Sequence, residues 1–546
     1  MKRKLISSGL AIMLSLSAMA QDKSAIKFSK TINKDRGYSH LSILASDEYE
    51  GRETGKKGAW MAAEYIKKQF QSFGLTGPVK NSTDPYFQKI GYFSQSLTNS
   101  ALAVNNQAKE SLKDYYILPS TVSEKGYNIT ANNIVFAGYG LNKEGFNEYE
   151  GVDVAGKVVM IFATGDPTAK TPAPAQTGRR APSGAGSQQA KIKYLMENKA
   201  AGVLVINQNA DNLSSQLKNM LQNGSPYLKT ADRAKSMQAA AALPTIVIGT
   251  AVANQILAAA NTNLDEVKKK IAETLKPATV SINVPLAFSA TSKETPVRAE
   301  NVLGFLEGSD PKLKNEVLVV TGHYDHIGLV ADPNATDKVN NGADDDGSGT
   351  TGVLLMAEAF ANAKKAGKGP KRSILFMTVV GEEKGLLGSE WYSENPVFPI
   401  ENTIADLNTD MIGRIGEEYL GKPDSANYIY SVGSFKLSTE LGKLSETINN
   451  TYTKMILDYK YDDPKDTQQI YYRSDHYNFA KLGIPVIFYY DGMLQQDYHR
   501  PGDEVSKINF DLLAKRTHLA YYTAWELANR ANRPVVDKNA DGTLKN

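Results

Sequence analysis

The sequence predicts an α/β protein, a mostly parallel mixed sheet sandwiched by helices, with a β-rich insert. Two observations carry this. From about residue 297 short strands that are apolar throughout alternate with helical segments, the pattern of a sheet covered on both faces. Between about 128 and 290 the texture changes to short Val- and Ile-rich strands bounded by Gly and Pro, with a single helix.

The chain has 546 residues, 41% of them hydrophobic and 22% charged, enough for several domains. Residues 1–20, "MKRKLISSGLAIMLSLSAMA", read as a secretory signal. Lys2, Arg3 and Lys4 make a basic start, a short apolar stretch follows, and Ala18-Met19-Ala20 fits a small-x-small cleavage site. The protein is therefore expected to be exported, periplasmic or extracellular. The net charge is +3, and the signal carries three cations and no acid, so the rest is close to neutral. That balance does not favour nucleic acid or anionic lipid. No later segment reaches the roughly 20 apolar residues of a membrane span. The chain has no cysteine, which removes disulfides, thiolate zinc sites and cysteine nucleophiles.

Residues 36–75 read as helical with a loop in the middle. Met61, Tyr65, Phe70 and Phe73 recur at helical spacing and Gly74 ends the run. In the insert, "NIVFAGYGL", "GKVVMIFATG", "AAGVLVINQ" and "LPTIVIGTAV" are strands and "QQAKIKYLMENKAAG" is a helix. Asp166 to Ser187 is a Pro-, Ala- and Gly-rich exposed loop. In the second half "EVLVVTG", "RSILFMTVVG", "TIADLNTDM" and "GIPVIFYYDG" are strands. "GTTGVLLMAEAFANAKKAG", "GSEWYSEN", "LSTELGKLSETINNTY" and "INFDLLAKRTHLAYYTAWELANRA" are helices. Residues 536–546 have no core pattern and are expected to be disordered.

In open α/β sheets ligands bind beyond the carboxyl ends of the strands. His323, Tyr324 and Asp325 follow the first of these strands, and the loop "GADDDGSG" comes next. Glu382 and Glu383 follow the second, Asp410 ends the third, and His499 in "DYHRPGD" follows the fourth. The chain has six histidines, and two of them fall at these strand ends. Carboxylates crowded at one rim repel strongly in a low-dielectric cleft, and a dication removes that penalty. Oxygen and imidazole donors without thiolate suit a catalytic zinc, manganese or cobalt site.

The motifs "GHYDHIG", "GADDDGSG", "GEEKGLLGS", "LNTDMIG", "SDHYNF" and "YHRPGD" together resemble the secreted co-catalytic di-zinc aminopeptidases related to bacterial leucyl aminopeptidases. The resemblance covers 297–535, and "LASDEYEGRETGKKGAWMAAEYIKKQF" is similar to that family's opening segment. It implies a zinc-exopeptidase, phosphorylase/hydrolase-like fold. It also implies a discontinuous catalytic domain, 21–127 and 291–535, around a protease-associated insert at 128–290. By motif, His323, Asp345 and Asp410 would hold one Zn2+, and Asp345, Glu383 and His499 the other, with Asp345 as bridge and Mn2+ or Co2+ as possible substitutes. Glu382 would be the general base, and Asp325 would orient His323 by accepting its second N–H. Asp503 is a candidate for the same service to His499. The resemblance further implies a cis peptide after Asp345. Asp344 and Asp346 are expected to make loop hydrogen bonds.

Two motifs are discounted. Asp344, Asp346, Ser348 and Gly349 match positions 1, 3, 5 and 6 of a calcium loop, but position 12 is Leu355 rather than Glu; the tail "DKNADG" starts the same way and ends too soon. Ser474, Asp475 and His476 hold the residue types of a hydrolase triad, but contiguous side chains do not readily form that relay. They are expected to line the substrate site. His326 is expected to be a structural residue of its loop. The expected substrates are peptides with a free N-terminus. The alternatives are a carboxypeptidase, a dipeptide-releasing peptidase or a glutaminyl cyclase on the same fold, or a receptor-like binding protein; the oligomeric state is left open.

Overall fold

The computed structural model describes residues 21–169, 187–230, 234–235, 238, 241–540 and 542–545. The expected signal, 1–20, and all but the ends of the Pro- and Gly-rich loop, 170–186, lie outside the described residues. The chain divides into two compact units, Met1–Ile90 with Arg298–Asn546, and Gly91–Val297.

The first unit is built on an eight-stranded mixed sheet. Its strands are β1 Phe87–Lys89, β2 Glu300–Leu306, β3 Val317–His323, β4 Ser373–Val379, β5 Thr403–Thr409, β6 Tyr428–Val432, β7 Ile456–Asp458 and β8 Val486–Tyr490. They lie in the order β1-β2-β4-β3-β5-β8-β6-β7. The central run β4-β3-β5-β8 is parallel; β1, β2 and β6 join antiparallel. Every residue of β3, β4 and β5 is buried, as expected for strands packed on both faces. Val317, Val319, Leu375 and Met377 share one apolar cluster with Tyr392 of helix α5 (Leu387–Glu394) and Phe479 of α7 (His476–Ala480). Residues alternate in facing along a strand, so Leu318 and Val320 turn to the opposite face.

Helix α4 (Gly349–Lys365) packs against α1 (Lys23–Ser29), α2 (Lys34–Leu44), α3 (Lys57–Phe73) and α8 (Phe510–Asn529). Leu354, Leu355 and Phe360 of α4 are fully buried, each worth about 1.5–3 kcal/mol of apolar transfer. Helix α3 stops at Gly74, which takes the left-handed φ of +87° that closes a helix cheaply only as glycine. The four strands and four helices expected in this half are present; α6 is Thr439–Ile448. Strands β1, β2, β6 and β7, which the sequence reading passed over, complete the sheet. Among the described residues no helix is long and apolar enough to cross a membrane.

The tail expected to be disordered is ordered over most of its length. Asp537 Oδ1 accepts from the N–H of Thr439 (2.8 Å), and Lys538 Nζ donates to the carbonyl of Phe435 (2.8 Å). Lys538 and Leu544 pair antiparallel. The reason is tertiary: α6 opens with free N–H groups, and a carboxylate from far along the chain satisfies one. Local pattern carries no trace of that contact.

The second unit holds a nine-stranded sheet. Its spine is one long antiparallel pair, Tyr92–Val104 against Val280–Pro296. Val158–Phe162, Gly202–Ile206 and Thr245–Ile248 form a parallel ladder, joined to that pair through Tyr127–Phe136. The expected bounds of 128–290 are thus too narrow. The long strand that closes the unit alternates buried and less buried residues, the one that opens it is mostly half-exposed, and both lack the continuous Val/Ile runs that marked the others. Three further helices, Ser215–Asn223, Thr250–Ala258 and Leu264–Thr274, also lie here.

Candidate metal centre

The rim formed by the ends of β3, β4, β5 and β8 gathers the acidic and imidazole residues. His323 is the last residue of β3; its N–H donates to Asp346 Oδ2 (3.0 Å) and its carbonyl accepts from Thr350 Oγ1 (2.7 Å). Asp345 sits in the turn Ala343–Ser348 that leads into α4, and the peptide joining it to Asp346 is cis. Gly342 enters that turn at φ +56°, a conformation glycine adopts without strain.

The flanking aspartates bind the backbone. Asp346 also accepts from the N–H groups of Gly349 and Met411, at 2.8 and 3.0 Å. Asp344 Oδ1 accepts from Gly413 (2.8 Å). Asp503, considered as a partner of His499, instead accepts from the backbone N–H groups of Asp344 and Asp345 at 3.0–3.1 Å. It therefore holds the turn and not the imidazole.

Asp345 presents one oxygen to each of two histidines. Oδ1 is 3.3 Å from His323 Nε2, and Oδ2 is 3.2 Å from His499 Nε2. Asp410 Oδ1 is 3.6 Å from His323 Nε2, and Glu383 Oε2 is 2.9 Å from His499 Nε2. Glu382 Oε2 lies 3.9 Å from His323 Nε2. The five expected ligands therefore form two groups sharing Asp345. His323, Asp345 and Asp410 offer donor atoms close enough to hold one ion; so do His326, Asp345 and Glu383.

Two tests show that a cation fits. The first is hydrogen bonding: His323 Nε2, His499 Nε2, Asp345 Oδ2 and Glu383 Oε1 are buried and have no hydrogen-bond partner. Buried polar atoms are almost always partnered, so these four are arranged for something other than one another. The second is charge. Burial works against a protonated His323, yet Asp410, Asp345 and Glu382 hold its pKa well above the usual imidazole value. His499, despite its burial, is pushed up to about 10 by Asp345 and Glu383. Without an ion the imidazoles must supply the positive charge that the carboxylates require.

Glu382 belongs to neither group. Its pKa is pushed well up by burial first and by Glu383 and Asp410 next, with His323 opposing. Its N–H donates to Asp325 Oδ1 (3.3 Å). Glu382, Asp410, Met411, Ile470, Phe488 and Leu494 are among the residues lining a pocket at this rim.

Two further expectations need correction. His323 Nδ1 approaches the main-chain oxygen of Asp325 (3.1 Å), whereas the Asp325 carboxylate is 3.8 Å away. That carboxylate ties Thr54 Oγ1 (2.5 Å) and the Glu382 N–H together. Ser474, Asp475 and His476, expected to line the substrate site, are buried and are not among the residues lining the pocket. Ser474 Oγ donates to Asp410 Oδ2 (2.6 Å) and accepts from Asn408 Nδ2 (2.8 Å); Asp475 accepts from Ser389 Oγ (2.5 Å). His476 stacks on Phe488, and burial drops its pKa to about 3. The pocket wall is made instead by the preceding residue, Arg473, and by Tyr498.

The sequence reading also missed Arg52. This buried guanidinium donates to the carbonyls of Tyr324, Leu44, Asn341 and Gly342, joining the opening segment to both ligand loops. A lone arginine in "EGRETG" carries no local signal of that role.

Residues 301–524 match the model of peptidase family M28. A probable leucine aminopeptidase of Arthroderma otae is 31% identical over 223 residues, 40% of this chain and 56% of that protein. A probable zinc metalloprotease of Pyrenophora teres f. teres is 26% identical over 315 residues, 51% of this chain and 62% of that protein. The chain thus spans about half the length of the curated relatives it matches. Among solved structures, an aminopeptidase from Aneurinibacillus sp. strain AM-1 shares the fold, with a TM-score of 0.50 at 17% identity over 94% of this chain and 98% of that one.

Proposed function

We propose, for a chain whose residues 301–524 belong to peptidase family M28, a two-zinc aminopeptidase that removes the N-terminal residue of peptides. One observation carries the reading: the two oxygens of Asp345 lie 3.3 and 3.2 Å from His323 Nε2 and His499 Nε2, the disposition of a carboxylate shared between two ions. His323, Asp345 and Asp410 would hold one ion, and Asp345, Glu383 and His499 the other. Bound there, a pair of divalent ions supplies Lewis acidity toward a peptide carbonyl and toward water.

The residues of the chain do the rest. Glu382 reaches the pocket next to both ligand groups and has a raised affinity for protons. It takes the proton of the attacking water and returns it to the leaving amine. Met411, Ile470, Phe488 and Leu494 offer an apolar wall for the first side chain. The free amine of the substrate is held by the carboxylates of the rim. Gly91–Val297 is read as a protease-associated insert.

Arg473 on the pocket wall favours a second reading, in which a cation captures a terminal carboxylate and the enzyme trims the other end. Product analysis on one unblocked and one N-acetylated peptide separates the two. The aminopeptidase reading expects cleavage of the unblocked peptide alone, loss of turnover with a chelator, and its return with zinc. Turnover indifferent to chelation would overturn the metal assignment, and cleavage of both peptides from the carboxyl end would select the second reading.

A further inference from the structure

His326 stands beside the second ligand group with its ring unexplained. The residue is fully buried, and neither ring nitrogen has a hydrogen-bond partner. Nδ1 lies 2.8 Å from Glu383 Oε1 and 3.8 Å from Asp345 Oδ2. These two oxygens are themselves unpartnered, so the short approach is not an aligned hydrogen bond. His499 reaches the same two carboxylates, at 2.9 and 3.2 Å, and the two imidazole centroids are 5.6 Å apart.

The ring is held where it is. The backbone N–H of His326 donates to the carbonyl of Arg52 (3.1 Å). A Cβ at position 342 would come within 2.5 Å of His326 Cγ, so Gly342 leaves the space that the imidazole fills. His326, Asp345 and Glu383 offer donor atoms close enough to hold one ion, and His499 approaches the same two carboxylates; with these nitrogens and oxygens unpartnered, they are a donor set for an ion.

We propose that His326 is a further metal ligand, binding through Nδ1 the ion held by Glu383, His499 and Asp345. The inference rests on the two-metal reading above and adds an asymmetry to it. The Glu383 ion then has four protein residues around it, whereas the Asp410 ion has three and keeps a position open on the side where Glu382 stands. Closed four-residue sites are the structural kind and open three-residue sites the catalytic kind. The Glu383 ion is accordingly the one retained longest under chelation.

The test uses the full-length protein loaded with zinc. X-ray absorption should count three imidazoles over two ions, about 1.5 per ion, against about 1 if His326 stays out. Competition with a graded chelator should show His326→Gln weakening the tighter ion by more than about a hundredfold, beyond the roughly 10–100-fold of an outer partner, with the weaker ion unchanged. Two ions with about one imidazole each would overturn this inference and leave the two-metal reading standing. A loss of only 10–100-fold with an unchanged imidazole count would also overturn it, and would make His326 a positioning residue for Glu383. A wild-type protein that binds no ion would overturn both. The wild-type count stands even where His326→Gln does not fold.

Discussion

Replacing Arg52 with methionine should unseat the opening segment from the ligand loops at a cost that the structure lets us size. The side chain is 1% exposed, and its donors reach Tyr324, Leu44, Asn341 and Gly342 carbonyls at 2.8, 2.7, 2.6 and 2.8 Å. Methionine keeps the stem and removes every donor. Each bond from a charged donor is worth about 1.5–3 kcal/mol, but burying a guanidinium itself costs several kcal/mol. The net loss should be about 3–5 kcal/mol, in line with removing one partner of a buried charged cluster. That is a large part of the roughly 5–15 kcal/mol that holds a domain together. Urea unfolding followed by tryptophan fluorescence reads it directly, because Trp60, Trp391 and Trp525 all lie in the unit that bears the site. Arg52→Lys, a single ammonium facing four carbonyls, should recover less than half. A shift under about 1 kcal/mol for Arg52→Met would refute this role for Arg52, as would full recovery by lysine.

Three other outcomes follow from the geometry. Ser474→Ala removes the donor to Asp410 Oδ2 and leaves Asn408 Nδ2 unpartnered; zinc affinity at the Asp410 ion should fall about 10–100-fold, read by chelator competition, and unchanged affinity would dismiss the bond as incidental. Glu382→Gln should bind both ions as tightly as the parent while losing about 10²–10⁴ in turnover; elemental analysis beside a kinetic assay checks it, and an active variant removes Glu382 as base. Buried His40, bonded to Tyr65, has its pKa lowered to about 4 by burial and then Arg36. The unfolded chain therefore binds more protons between about pH 6.5 and 4, and the stability owed to neutral His40 is full above that window and lost as pH falls through it, about 3 kcal/mol in all. The acid limb of urea stability should be shallower in His40→Asn, and parallel limbs would count against the assignment.

The rim itself was legible because its residues come directly after strands that announce themselves. Val317–His323, Ser373–Val379 and Thr403–Thr409 are continuous buried runs, and the residues at or just past the end of each are polar and of metal-binding type. The supporting shell was not legible in the same way. Ser474 and Asp475 read as lining the substrate site because they are polar and belong to one of its motifs; the buried Asp410 carboxylate takes Ser474 as its donor instead. Arg52, Thr54 and Asp503 act over separations of about 160 to 290 residues, where no local pattern reaches. The edges of the second unit were misplaced for a related reason. Val280–Pro296 alternates and Tyr92–Val104 is largely half-exposed, and long strands with so few buried residues in a polar sequence resemble loops.

The register of those edges has a practical meaning. In the second unit Phe93 lies opposite Pro296, and in the first Lys89 lies opposite Glu300. The polypeptide leaves one sheet and returns to it on adjacent antiparallel strands, so some two hundred residues occupy the place of a hairpin turn. A short reverse turn grafted between Ile90 and Arg298 would keep those edge strands in register, and would show how little of the molecule the rim requires.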